Sequence, residues 1–183
     1  MLTNFQLEDL SKKMDIPLKT ICFKDELKES GKLEYNKAYI INLQNEYDED
    51  GKMNGGSHWT CFQVNKYPSG NICGVYHDSF GTAPPESVKE FVGMDLPYTQ
   101  IDIQSLAADF CGWSCCAFLH YINAFDDRTG HIYKDTEDFC NLFVDLNKSC
   151  DYKYNEYVLK HFFLSADPLL RKDVNVDVKT IVS

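Results

Sequence analysis

The sequence contains no run of 18 apolar residues, and its opening stretch, Met1 to Met14, is polar and mixed in charge with no apolar signal core. Those absences speak against a membrane span and against secretion, so the expectation is a soluble protein made in the cytosol with no membrane partner. Basic charge is scarce. Against 28 Asp and Glu stand 18 Lys and Arg, for a net charge of −10 and a pI near 4.9. A chain built mainly to hold nucleic acid or an anionic membrane is thereby disfavoured, although a local basic patch stays open. Among the eight cysteines there is no C-x-x-C pair, so structural zinc has poor support and no metal is expected. Without a signal peptide the cysteines read as reduced thiols, not a disulfide framework. A glycine-rich phosphate loop, an internal repeat, a low-complexity tract and a linker are all missing. One domain over residues 1–183 is expected, long enough to bury roughly 70% of its unfolded surface.

What is present is an ordinary globular composition, 44% hydrophobic and 14% aromatic, which makes disorder unexpected except at the ends. Thr3 and Gln6 have capping-box spacing, and Leu7, Leu10 and Met14 mark one face of a short helix ending before Pro17. Residues 18–23 and 37–43 read as strands separated by a charged segment, 24–32. The acidic, then glycine-rich stretch 45–56 reads as a solvated loop, because its acidic spacing matches no calcium signature. Strand-like runs follow at 58–64 and 72–78. Proline and glycine mark 79–85 as a loop, a short helix is expected over 86–92, and 98–103 reads as a last strand delivering Gln104. Later helices are expected from Asp135 or Thr136 through Leu146 and from Tyr154 to Leu164. The tail from about 171 alternates Val174, Val176 and Val178 and suits either an added edge strand or a mobile end.

The runs 58–64 and 72–78 are joined by turn residues 65–71, which makes an antiparallel hairpin the natural pairing. Symmetry about Pro68 would place His58 directly opposite Asp78, with Cβ atoms about 4.5–5.5 Å apart. His77 would then point to the other face.

The chain is organised around residues 110–121, Phe-Cys-Gly-Trp-Ser-Cys-Cys-Ala-Phe-Leu-His-Tyr. A helix from Gly112 to about Phe125 puts Cys111 at its N-terminal edge, where unpaired N–H groups and the positive end of the dipole favour a thiolate. Gly112 has no side chain to block an approaching substrate backbone. Cys115 and Cys116, deeper in the helix, read as packed core thiols, whereas Cys111 should be accessible to substrate. Together these residues form a nucleophilic site: Cys111 attacks a carbonyl, His58 moves the proton, and Asp78 orients the imidazole. The Gln104 side-chain amide and the Cys111 backbone N–H would hold the oxyanion. Taken singly each residue has a dull structural reading; their combination and order carry the specificity.

The motifs Gly56-Ser57-His58-Trp59, Asp78-Ser79-Phe80-Gly81, Gln104 and Cys111-Gly112-x-x-Cys115-Cys116-x-Phe118-Leu119-His120 resemble those of the adenovirus maturation proteases, the adenain-like enzymes. That family has relatives in virophages and polinton-like viruses and shares a clan with the SUMO-specific proteases. The resemblance spans about residues 1–125. Leu2-Thr3-Asn4-Phe5 and Ile40-Ile41-Asn42-Leu43 look most like the virophage and polinton branch, of the mavirus type. It implies an α+β fold, a central mixed β-sheet flanked by helices with the nucleophile at the N-terminus of a central helix, as in papain-like and SUMO-protease-like cysteine proteinases. It also implies cleavage of capsid-precursor proteins at Gly-containing sites, with Trp59 and Gly112 contacting substrate.

Two points differ from the adenovirus pattern. Asp78 stands where those enzymes typically have glutamate, which leaves the role intact. The acidic chain argues that DNA, their cofactor, binds weakly, and no peptide activator is carried over. The expectation is a viral thiol endopeptidase without metal or cofactor, monomeric, acting in the virion and in the viral factory of the host cytoplasm. Rival readings with the same triad are an isopeptidase that removes ubiquitin-like modifiers from host proteins and an acyltransferase; a silent capsid scaffold fits the intact site poorly.

Overall fold

The structure, a computed structural model, describes residues 1–106, 108–124 and 131–164. The tail expectation from about 171 lies outside the described residues, as does Phe125 at the expected end of the central helix. The described residues form an α+β fold of four strands and five α-helices, with a mixed sheet covered on both faces. Helix α1 (Asn4–Lys13) starts at the expected capping box, the Thr3 hydroxyl accepting from Gln6 N–H at 3.2 Å and the Gln6 side chain accepting from Thr3 N–H at 2.8 Å. Strands β1 (Leu18–Phe23) and β2 (Lys37–Asn42) follow, parallel to one another, with a 3-10 turn at Glu26–Ser30 inside the charged crossover. Strand β3 (Trp59–Lys66) runs antiparallel to β2, and β4 (Ile72–His77) antiparallel to β3, for the order β1-β2-β3-β4.

Ile40-Ile41 and Cys61-Phe62 are adjacent apolar pairs because the central strands bury both faces. Ala38, Ile40, Trp59, Cys61 and Val75 face one core, shared with α1, the central helix α3 (Cys111–Asn123), α4 (Ile132–Cys140) and α5 (Tyr152–Leu164). Tyr39, Ile41, Phe62, Val64 and Tyr76 face a smaller one under α2 (Glu86–Val92) and Leu27, where the Tyr39 and Phe62 rings stack at 4.8 Å. Helix α3 is apolar on nearly every face and buried from Cys111 to Ile122, as expected of a helix enclosed between a sheet and other helices.

Three expectations need correction. The β3–β4 hairpin is centred on Ser69, not Pro68: Cys61 pairs with His77 and Lys66 with Ile72, and Tyr67 N–H closes the turn on Asn71 C=O at 2.9 Å. His58 and Asp78 are therefore not directly opposed. Residues 98–103 do not form a strand. Tyr98 makes a single parallel bridge to Tyr76, flanked by Tyr76 N–H to Pro97 C=O and Thr99 N–H to Tyr76 C=O. Beyond it the backbone turns away to other partners: Ile103 and Gln104 N–H donate to Ser79 C=O, Asp102 C=O accepts from Leu146 N–H, and Ile103 C=O accepts from Asn155. Helix α4 begins at Ile132, capped by the His131 imidazole on Tyr133 N–H, so Asp135 and Thr136 lie inside it. It stops at Cys140, well short of Leu146, because the chain turns and Val144 N–H is taken by Asn155 Oδ1 at 2.8 Å.

Candidate active site

Cys111 is the first residue of α3. The residue before it, Phe110, offers no capping side chain, and no acidic residue occupies the first turn. The positive end of the helix dipole therefore meets no carboxylate from the helix's own first turn. A further donor comes from β3, whose Trp59 backbone N–H lies 3.5 Å from Cys111 Sγ. The thiol is not open to solvent, contrary to the accessible nucleophile expected from sequence. It is 2% exposed within the apolar cluster that Leu2, Trp59, Phe110 and Trp113 join.

His58 sits just before β3, and its Nε2 is 2.7 Å from Asp78 Oδ1, just beyond the end of β4. The same imidazole lies close enough to the Cys111 thiol for the sulfur to raise its pKa. With Nε2 on the carboxylate, Nδ1 is the nitrogen left for sulfur. The ring is held from one side by Phe80, at 4.7 Å between centroids. Burial pushes the His58 pKa down, but the hydrogen bond to Asp78 and the interactions with the Asp78 and Cys111 charges outweigh it and raise the value to about 9. Asp78 is 0% exposed, which alone would favour its neutral form. The His58 contact, Thr82 Oγ1 on Oδ2 and Phe80 N–H on Oδ1 at 2.9 Å hold its pKa below the usual carboxylate value. The turn 78–82 thus supplies the carboxylate, two of its donors and the ring under the imidazole.

Gln104 is 4% exposed and held at both ends of its amide. Ser79 Oγ donates to Oε1 at 2.7 Å, and Nε2 donates to Ala108 C=O at 2.6 Å. Among the described residues its second N–H is uncommitted. Trp59 and Gly112 both contact the N-terminal segment. The Trp59 indole N–H donates to Leu2 C=O at 2.8 Å, and a Cβ on Gly112 would lie 3.1 Å from Leu7 Cδ2 and 3.3 Å from Leu2 Cβ. The room made by the missing side chain is filled in this structure by α1 and Leu2.

His77, the last residue of β4, points into the core beneath α3. It is fully buried, its Nδ1 3.0 Å from Thr99 Oγ1 and its Nε2 2.9 Å from Ser114 Oγ, with its ring stacked on Phe118. Burial first of all lowers its pKa, to about 4. Burial likewise pushes the Cys116 thiol up to about 12 and raises Cys115 well above its ordinary value. The sequence reading missed Ser79, Phe80, Thr82 and the Trp59 backbone N–H. The first three fall within or just after the Asp78-Ser79-Phe80-Gly81 motif, which was the available signal. Among the described residues no group of three His, Cys, Asp or Glu could hold a metal ion, and no helix is long and apolar enough to cross a membrane.

No protein-family model and no curated protein matches the chain. Among solved structures it is similar to the ASFV pS273R protease, at 15% identity over 79% of this chain and 68% of that one, with a TM-score of 0.40. It is also similar to the Xanthomonas campestris effector protein XopD bound to ubiquitin, at 11% identity over 98% of this chain and 87% of that one, again with a TM-score of 0.40. At those scores neither likeness carries a residue's role over to this chain, and the argument for the site rests on its own geometry.

Proposed function

We propose that the chain is a cysteine endopeptidase whose nucleophile is Cys111. The observation that carries this reading is the buried cluster: one imidazole 2.7 Å from a carboxylate and within electrostatic reach of a thiol at a helix N-terminus without a side-chain cap. In this reading the Cys111 sulfur attacks a peptide carbonyl carbon, and the electron pair moves onto oxygen, held by Cys111 N–H and Gln104 Nε2–H. Collapse breaks the C–N bond. The leaving amine takes the proton carried by His58, and a thioester remains. His58 then accepts a proton from water as its oxygen attacks, releasing the carboxylic acid and the thiol. Asp78 keeps the imidazole in the tautomer that presents Nδ1 to sulfur. No metal or cofactor takes part.

The substrate class follows from the motif resemblance: precursor proteins of a viral particle, cut at Gly-containing sites in the virion and viral factory by a monomeric enzyme to which DNA binds weakly. Substrate must displace part of the packing over Cys111, and Trp59 and Gly112 become contacts for it once Leu2 moves aside.

The test is mass spectrometry of capsid-precursor proteins incubated with the wild type or with Cys111→Ala. New termini at Gly-containing sites, produced only by the wild type, are expected. Cleavage restricted to a ubiquitin-like conjugate offered in parallel would replace this reading with the isopeptidase. Lysine acetylation without cleavage would replace it with the acyltransferase.

A further inference from the structure

Ser79 stands between the two halves of the site. The residue before it, Asp78, orients the imidazole. Ser79 itself is 1% exposed and holds Gln104 twice and its neighbour once: its C=O accepts from Ile103 N–H at 2.8 Å and from Gln104 N–H at 3.2 Å, and its hydroxyl donates to Gln104 Oε1 at 2.7 Å. We propose that Ser79 is a positioning residue, its hydroxyl holding the Gln104 amide so that an N–H, not the C=O, faces the oxyanion. The inference rests on the endopeptidase reading for its consequence in rate.

The side-chain amide has one acceptor and two donor hydrogens. Ala108 C=O can only accept, so it fixes Nε2 at one end and obliges the Ser79 hydroxyl to donate at the other. Remove that hydroxyl and a buried carbonyl oxygen loses its donor. Ala108, which holds the other end of the amide, lies three residues before the first N–H groups of α3, the groups an oxyanion needs. An amide hinged only on Ala108 is then drawn to turn Oε1 toward the place where negative charge should develop. With the hydroxyl present, donation into Oε1 also polarises the amide and strengthens its N–H as a donor. Ser79 touches neither the thiol nor the imidazole in any described contact, so its effect passes through Gln104.

Ser79→Ala separates these steps. Peptide cleavage needs an oxyanion donor; alkylation of Cys111 by iodoacetamide does not. The expected result is a kcat lowered about 10- to 100-fold, a KM within about twofold, and alkylation at about pH 6 within about twofold. In a Gln104→Ala background the same substitution should cost nothing further, because the group it positions is gone. Alkylation falling as far as cleavage, or losses that multiply in the double variant, would overturn the proposal. Should Ser79→Ala lower Tm, Ser79→Thr and Ser79→Val repeat the comparison, since they differ only in hydroxyl against methyl; equal rates for the pair would also overturn it. NMR of the Gln104 side-chain amide decides the matter independently of turnover. Its protons should exchange slowly with solvent in the wild type and fast in Ser79→Ala, and unchanged exchange would refute the clamp. A wild type that cuts no peptide yet shows this exchange pattern would sink the endopeptidase reading and leave the Ser79 clamp standing.

Discussion

His58 reaches Asp78 on a diagonal: the hairpin register that pairs Cys61 with His77 leaves both residues just beyond the paired region, and the imidazole Nε2 crosses to Asp78 Oδ1 at 2.7 Å. The carboxylate is buried and held in place by Thr82 and Phe80 N–H, so its orientation does not depend on the histidine. Asp78→Asn should therefore leave the fold intact while lowering turnover by several orders of magnitude, about 10⁴ in the serine-protease analogue, because an amide holds the imidazole in the wrong tautomer. Turnover within tenfold of wild type, measured on protein with unchanged circular dichroism, would remove Asp78 from the mechanism.

Two histidines set opposite limbs of stability against pH. His58, raised from 6.5 to about 9, favours the protonated form in the fold; its contribution is complete below pH 6.5 and is lost as pH rises from there through about 9. His77, lowered to about 4, favours the neutral form; its contribution is complete above pH 6.5 and is lost as pH falls from there through about 4. Thermal melts across pH 4–10 should show the gap between wild type and His58→Gln closing on the alkaline side. His77→Gln should flatten the acid limb alone. Parallel pH profiles for all three proteins would contradict both assignments.

Gly112→Ala should destabilise the protein. Alanine gains up to about 1 kcal/mol in helix propensity, but its Cβ would press on Leu7 at 3.1 Å and Leu2 at 3.3 Å, and such overpacking costs about 1–3 kcal/mol. A net loss of about 1 kcal/mol corresponds to a Tm lower by about 2–4 °C for a chain of this size. A higher Tm would mean that α1 yields freely at this contact.

Much of the site was legible in the sequence because its parts lie where local signals are strong. The capping box fixed the start of α1, turn residues announced the β3–β4 hairpin, and the unbroken apolar run placed Cys111 at a helix start. The exact register was not legible: centring on Pro68 or on Ser69 preserves which side chains share a face, so alternation alone cannot distinguish them. The segment before Gln104 was misread as a strand because its residues have strand character, while what directs it is distant: Ser79 C=O, Asn155 and Leu146. Burial of Cys111 under the N-terminal segment is a tertiary contact of Leu2 with Trp59 and Gly112, and no local pattern encodes it.

The most direct test of the account compares two thiols that differ in the opposite sense in access and in environment. Cys150 is exposed and Cys111 is buried beside His58. Brief treatment with substoichiometric iodoacetamide at about pH 6, where an ordinary thiol is almost wholly protonated, followed by peptide mapping, ranks the eight cysteines by reactivity. If an imidazolium-held thiolate is the nucleophile, Cys111 is modified first, ahead of Cys150, Cys115 and Cys116, and His58→Ala slows its labelling at least tenfold. Modification of Cys150 first, in proportion to exposure, or a Cys111 rate indifferent to His58, would contradict the account at its centre.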